Sequence, residues 1–157
     1  DTTSDGQALV KLASGVEFVE LRIGGGEVPE RGGKVLAHVR GYLAGKDDTD
    51  AIFLDTYKSD APLYFALGVR PEGVTEGLEQ ALATMRAGGI RAVQVPGYLG
   101  YPDGIAPAFV QAPLLRAMPK SSVLRYEVEL LRCVQAEDNR SICCKEPSFP
   151  CKMPAES

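Results

Sequence analysis

Helical periodicity occurs in one short stretch of this chain, and strand alternation governs most of the rest. Leu78, Ala81, Leu82 and Met85 recur at offsets of zero, three, four and seven, which lines one face of a helix. The pattern predicts a helix over 74–85, with Glu76 and Glu79 in its first turns, where the helix dipole favours anions. Gly88 and Gly89 follow as the expected left-handed stop. By contrast, residues 34–43 alternate: Val35, Ala37, Val39, Gly41 and Leu43 share one face, and Leu36, His38, Arg40 and Tyr42 the other. Leu124, Tyr126, Val128 and Leu130 likewise oppose Arg125, Glu127 and Glu129. Shorter strands are predicted near 16–21, 52–57, 63–67 and 90–95. One helix against several strands defines an α+β domain. Residues 96–119 are rich in Gly, Pro and Ala and read as a long loop, with a short helical piece around 109–116.

At 157 residues the chain fits one domain with a core of ordinary size. The net charge is −4 and no basic block occurs, which argues against nucleic acid or an anionic membrane surface as a partner. No apolar run reaches bilayer-spanning length. The first residue is Asp1 rather than Met, as expected of a processed product. The triplet Gly24-Gly25-Gly26 lacks the Lys-Ser/Thr of a phosphate loop and reads as a turn. The one histidine, His38, lies on the polar face of its strand with no Cys or Ser beside it, so a nucleophilic triad is not expected. Neither a metal nor a cofactor is expected. Four cysteines, Cys133, Cys143, Cys144 and Cys151, crowd the last quarter at C-x9-C-C-x6-C. Disulfides, free thiols and a metal site are all open to such a set. Disulfides are favoured, since the spacing has no C-x2-C knuckle.

Five segments occur in the order seen in FKBP-type peptidyl-prolyl isomerases: PERGGKVLAHVRGYL, PLYFALG, VTEGLEQALATM, VPGYLGY and VLRYEVELL. Residues 15–133 resemble that family. The resemblance implies an FKBP-like curved antiparallel β-sheet wrapped around one short α-helix. Residues 1–14 would form an N-terminal arm, and 134–157 a cysteine-containing C-terminal tail. Prolyl isomerisation needs no nucleophile or cofactor. Its barrier of roughly 18–20 kcal/mol comes from amide resonance lost on twisting, and a dry pocket with aimed donors can lower it.

The resemblance also implies where a proline pocket would lie. Phe53 matches the aromatic wall. Val74 and Thr75 match the pair that opens the helix, the second of which offers its backbone N–H to a ligand carbonyl. Tyr101 matches the hydroxyl donor, Met118 a residue of the flap, and Tyr126 an aromatic on the last strand that is usually Phe. Departures are several. Val39 stands where active members have Tyr, and Leu54 where they have Asp, although Asp55 follows. Leu78 replaces the Trp floor and Leu63 a Phe. These changes imply a degenerate pocket with weak or no isomerase activity.

The PGYLGYP loop and the tail cysteines look like those of FKBP-like proteins of the plant thylakoid lumen. The closing ICCKEPSFPC is similar to the tail of a lumenal subunit of the chloroplast NAD(P)H dehydrogenase-like (NDH) complex. That similarity implies a role in assembling a thylakoid membrane complex, with the protein subunits of NDH as partners. The alternative is an active isomerase that helps proteins fold in the lumen.

Overall fold

The computed structural model describes residues 8–44, 52–71, 73–111 and 114–134, together with the backbone of 141–144. Among the described residues eight strands make one sheet: β1 (Leu9–Lys11), β2 (Glu17–Arg22), β3 (Lys34–Leu43), β4 (Ile52–Asp55), β5 (Leu63–Ala66), β6 (Ile90–Val95), β7 (Leu124–Val134) and β8 (Ser141–Cys144). The helix, α2 (Glu76–Ala83), lies between β5 and β6 in the chain, and a single helical turn, α1 (Thr56–Ser59), follows β4. The strand order is β1-β2-β6-β7-β3-β4, with β5 also on β3 and β8 also on β7. Every pairing is antiparallel.

The alternation read from β3 and β7 is the alternation observed. Val35, Ala37, Val39 and Leu43 meet Leu124, Tyr126, Val128 and Leu130 in one core, with Leu78, Ala81, Leu82 and Met85 from α2 and the residues after it. Two glycines permit close approaches. A Cβ on Gly77 would lie 2.4 Å from a methyl of Val95, so α2 sits as near to β6 as a bare backbone allows. A Cβ on Gly41 would lie 2.7 Å from the Phe53 ring.

Local structure departs from expectation in several places. The helix is shorter than 74–85, and its C-cap is Thr84, so Gly88 and Gly89 do not end it. Gly88 takes a positive φ of 89° in the turn that leads to β6. Within 96–119 the helical pieces are 3-10 turns at Gly97–Leu99 and Pro107–Phe109, rather than a segment over 109–116. Proline at the first position of the second turn, with its fixed φ, explains the earlier start. The sheet also reaches into both flanks: β1 lies within the arm, and β8 within the tail. Residues 45–51 and the Cys151 end of the tail lie outside the described residues.

Arg91 holds the helix to the sheet. The alternation of β6 puts it on the same face as Val93 and Val95, and it is only 4% exposed. All five of its N–H groups are used. Nε donates to Glu20 Oε1 at 3.0 Å, and Nη2 to Glu20 Oε2 at 2.9 Å and to the Thr84 carbonyl at 3.1 Å. Nη1 donates to the Ala81 carbonyl at 2.7 Å and to Thr84 Oγ1 at 2.6 Å. The guanidinium also stacks 3.8 Å from the Phe18 ring centroid. The last turn of α2 has no basic residue of its own. Arg91 supplies the positive charge that its orphan carbonyls favour.

Thr56 closes a gap in the sheet. One edge of β3 pairs with β5 through residues 34–37 and with β4 through 40–42, which leaves Val39 between them without a strand partner there. The buried Thr56 hydroxyl accepts from Val39 N at 2.8 Å and donates to Val39 O at 3.3 Å. His38 Nδ1 lies 2.9 Å from the same hydroxyl. A side chain thus replaces a missing strand, because buried backbone polar groups need partners.

Two outcomes follow. Arg91→Ala strands the Ala81 and Thr84 carbonyls and leaves the partly exposed Glu20 carboxylate without its partner, and is expected to lower unfolding free energy by about 1–3 kcal/mol, read from denaturant midpoints. Thr56→Val keeps the shape but strands both Val39 groups, and is expected to cost about 1–3 kcal/mol in the same measurement.

Candidate functional site

The start of α2 organises the site. Thr75 is its N-cap: the residue is extended, and Oγ1 accepts from Leu78 N at 3.2 Å. Beta-region geometry with a side-chain acceptor is what a threonine N-cap supplies. The same hydroxyl lies 2.9 Å from Tyr126 OH, which projects from the first part of β7. Both residues are buried. Among the described residues, no acceptor meets the Thr75 backbone N–H. Val74 and Leu78 on either side are buried, with Leu78 fully so.

Three aromatic rings gather beside this corner. Phe53 meets Tyr126 edge-on at 5.7 Å between centroids, and Tyr101 at 6.1 Å. These are favourable edge-to-face arrangements. Tyr101 is partly buried and donates its hydroxyl to the Gly73 carbonyl at 2.7 Å. Gly73 takes φ 95°, a left-handed conformation natural to glycine, in the turn that leads into α2. The long loop reaches the same place, where Leu115 N donates to the Phe53 carbonyl at 2.8 Å. Leu114 packs against the core, and Met118 is buried and pairs with Ile105.

Burial lifts the phenols. The Tyr101 hydroxyl is held well above the ordinary tyrosine range by desolvation. Tyr126 is likewise held well above that range by burial and by its neighbour Tyr101, against a smaller opposing effect of the Thr75 hydrogen bond. Both therefore stay neutral donors at any physiological pH.

The positions singled out in the sequence fall into two groups. Phe53, Val74, Thr75, Leu78, Tyr101 and Tyr126 come together around the head of α2. Val39 and Leu54 are fully buried in the core beside them, and Leu63 is partly buried at its margin. Asp55 does not stand in for the acid absent at Leu54. Its carboxylate caps α1 by accepting from Lys58 N at 3.1 Å, and it pairs with Arg40 at 3.3 Å. His38 lies on the outer face of the sheet, stacked on Tyr57 at 4.5 Å. Sequence reasoning missed Thr56 and Gly73. Nothing local in the sequence marks them, since each acts through a partner distant in the chain. Two clefts of about 400 Å³ lie away from this corner. One runs over the outer sheet face between Tyr42, Ala92 and Arg125, and another lies in the loop beside Ile105, Pro107 and Met118.

Of the four cysteines, Cys133 is buried and disulfide-bonded. The backbone register of β7 and β8 sets Cys143 opposite it. Cys144 lies beside Cys143 on β8, opposite Arg132.

Comparison with known proteins places this geometry. The model of the FKBP-type peptidyl-prolyl cis-trans isomerase family matches residues 25–131. The chain belongs to that family. It is 33% identical over 130 residues to the peptidyl-prolyl cis-trans isomerase FKBP17-2, chloroplastic, of Arabidopsis thaliana, covering 78% of this chain and 50% of that protein. It is 31% identical over 134 residues to FKBP17-3, chloroplastic, of the same plant, covering 82% and 54%. The chain thus spans about half the length of these relatives. Among solved structures, AtFKBP13 aligns with a TM-score of 0.61 at 26% identity, over 78% of this chain and 96% of that one. FkpA from Escherichia coli aligns with the same TM-score and identity, over 82% and 52%.

The raised phenols set a pH dependence. Tyr101 and Tyr126 have folded-state values above the unfolded value of about 10. Their contribution is therefore complete below about pH 10 and is lost as pH rises beyond it, because the unfolded chain releases these protons first. Denaturant midpoints are expected to fall above about pH 10, and Tyr101→Phe and Tyr126→Phe to flatten that fall.

Proposed function

We propose that this chain is an FKBP-fold subunit of the thylakoid lumen that assists the assembly or stability of the chloroplast NDH complex. Its pocket takes proline-containing segments of partner subunits and turns them over slowly or not at all. The observation that carries the reading is the apolar, internally bonded character of the pocket. Val39, Leu54 and Leu78 are fully buried hydrocarbon where active members of the family hold Tyr, Asp and Trp. The hydroxyls that remain are engaged with one another or with the backbone. Twisting an amide away from resonance is helped by polar groups aimed at the developing charge, and these three positions offer none.

Three facts support the compartment and the partner. The Arabidopsis relatives are chloroplastic by name. A disulfide at Cys133 suits an oxidising compartment. The closing ICCKEPSFPC resembles the tail of the lumenal NDH subunit. The proposed attachment to the complex is through protein contacts; among the described residues no helix is long and apolar enough to cross a membrane. Exposed Tyr98, Phe109 and Leu115, in and around the long loop, suit that purpose.

A second reading, an active isomerase acting as a folding helper, has its own support. Phe53, Tyr101 and Tyr126 keep an aromatic wall, and the Thr75 N–H is open. A proline-isomerisation assay on short X-Pro peptides separates the two. The assembly reading expects little or no catalysis, and kcat/KM near 10⁶ M⁻¹s⁻¹ or above would overturn it. Leu78→Trp combined with Leu54→Asp is expected to raise whatever activity is present.

A further inference from the structure

The hydroxyls of Thr75 and Tyr126 carry two protons between them, and the structure accounts for one. Thr75 Oγ1 already accepts from Leu78 N. Its contact with Tyr126 OH at 2.9 Å uses a single proton, whichever oxygen donates. If Tyr126 donates, the Thr75 proton is spare. If Thr75 donates, the Tyr126 proton is spare. Among the described residues neither hydroxyl has another acceptor. Thr75 is 3% exposed and Tyr126 2%, so the spare donor is not left to bulk solvent. A buried donor without an acceptor is destabilising. Phenylalanine at 126 would fill the same space with no such cost.

The spare donor sits among Phe53, Tyr101 and the head of α2, beside the open N–H of Thr75. Tyr101, only partly buried, carries this aromatic group out to the surface. We infer that the Thr75–Tyr126 pair is a specificity-determining element that donates its spare hydroxyl proton to a backbone carbonyl flanking the proline of a bound peptide. The inference rests on the reading of this pocket as a site for X-Pro segments. A carbonyl oxygen is the acceptor every such segment brings, on either side of the proline ring. A site holding a donor in a dry corner discriminates strongly against ligands that cannot accept from it.

The test uses the full chain and three peptides: acetyl-Leu-Pro methylamide, and two analogues with sulfur in place of oxygen at the carbonyl before or after the proline nitrogen. Sulfur keeps the amide planar and accepts weakly. Binding is followed by titration calorimetry or NMR. The wild-type chain is expected to bind one thioamide about fivefold to tenfold more weakly than the parent peptide, the worth of one net hydrogen bond. Tyr126→Phe and Thr75→Val each leave one hydroxyl proton, so each alone is expected to keep part of the preference. Together they are expected to abolish it while the parent peptide still binds. The Thr75 N–H survives in the double variant and serves as the internal control. Thr75→Ser is expected to behave as wild type.

Equal discrimination in wild type and double variant, or none in wild type, overturns the inference and leaves the pocket reading standing. Failure of wild type to bind the parent peptide overturns both. Should the double variant not fold, the wild-type chain decides the matter. Discrimination accompanied by a shift of the Tyr126 Cζ resonance or of the Thr75 hydroxyl proton on binding upholds the inference, and discrimination without either shift overturns it.

Discussion

One guanidinium holds the architecture together. An antiparallel sheet with a single eight-residue helix has little to fix that helix in place, because two turns in isolation are unstable. Packing of Leu78, Ala81 and Leu82 supplies attraction but no direction. Arg91 supplies direction: its fork takes Glu20 on β2 with one edge and the last turn of α2 with the other. Three elements distant in the chain thereby share one ion pair with every donor satisfied, the condition under which a buried charge is tolerated. The far end of α2 then falls where Thr75 can meet Tyr126. The site at the head of the helix depends on the anchor at its tail.

The sheet solves its own problem by a similar device. Two short strands share one edge of β3, and the chain between them turns through α1. That leaves Val39 facing a side chain instead of a strand, and Thr56 answers both its polar groups. Tyr57, next in the turn, reaches Glu129 at 3.1 Å, and Glu129 in turn meets Arg22 at 3.2 Å. His38 stacks on the same Tyr57 ring. The polar outer face is thus a bonded layer that pins α1 across the middle strands. This accounts for a lone histidine with no catalytic partner.

At the pocket the same economy has a different consequence. Val39, Leu54 and Leu78 fill their positions beside it with hydrocarbon. The polar groups that remain are bonded inward, to Gly73 and to each other. In the proposed reading such a pocket holds a peptide rather than turning it over rapidly. The interaction left incomplete inside it, one hydroxyl proton without an acceptor, is where ligand selection would be felt.

Much of this was legible before any coordinates. Strand and helix periods are local, and β3, β6 and β7 fall where alternation puts them. Motif order was enough to indicate the family and to gather Phe53, Thr75, Tyr101 and Tyr126 at one site. Even Arg91 left a trace, as a charge on the buried parity of β6, but its parity could not name Glu20, Ala81 and Thr84 as partners. The gap at Val39, the inward turn of Asp55 toward α1, and the pairing of β1 and β8 with the sheet were decided by tertiary structure alone. The reason is physical. Periodicity reports which face of an element is apolar, and that depends only on neighbours in sequence. Which donor meets which acceptor depends on register between strands far apart in the chain, settled only when the sheet closes and each buried polar group finds its partner.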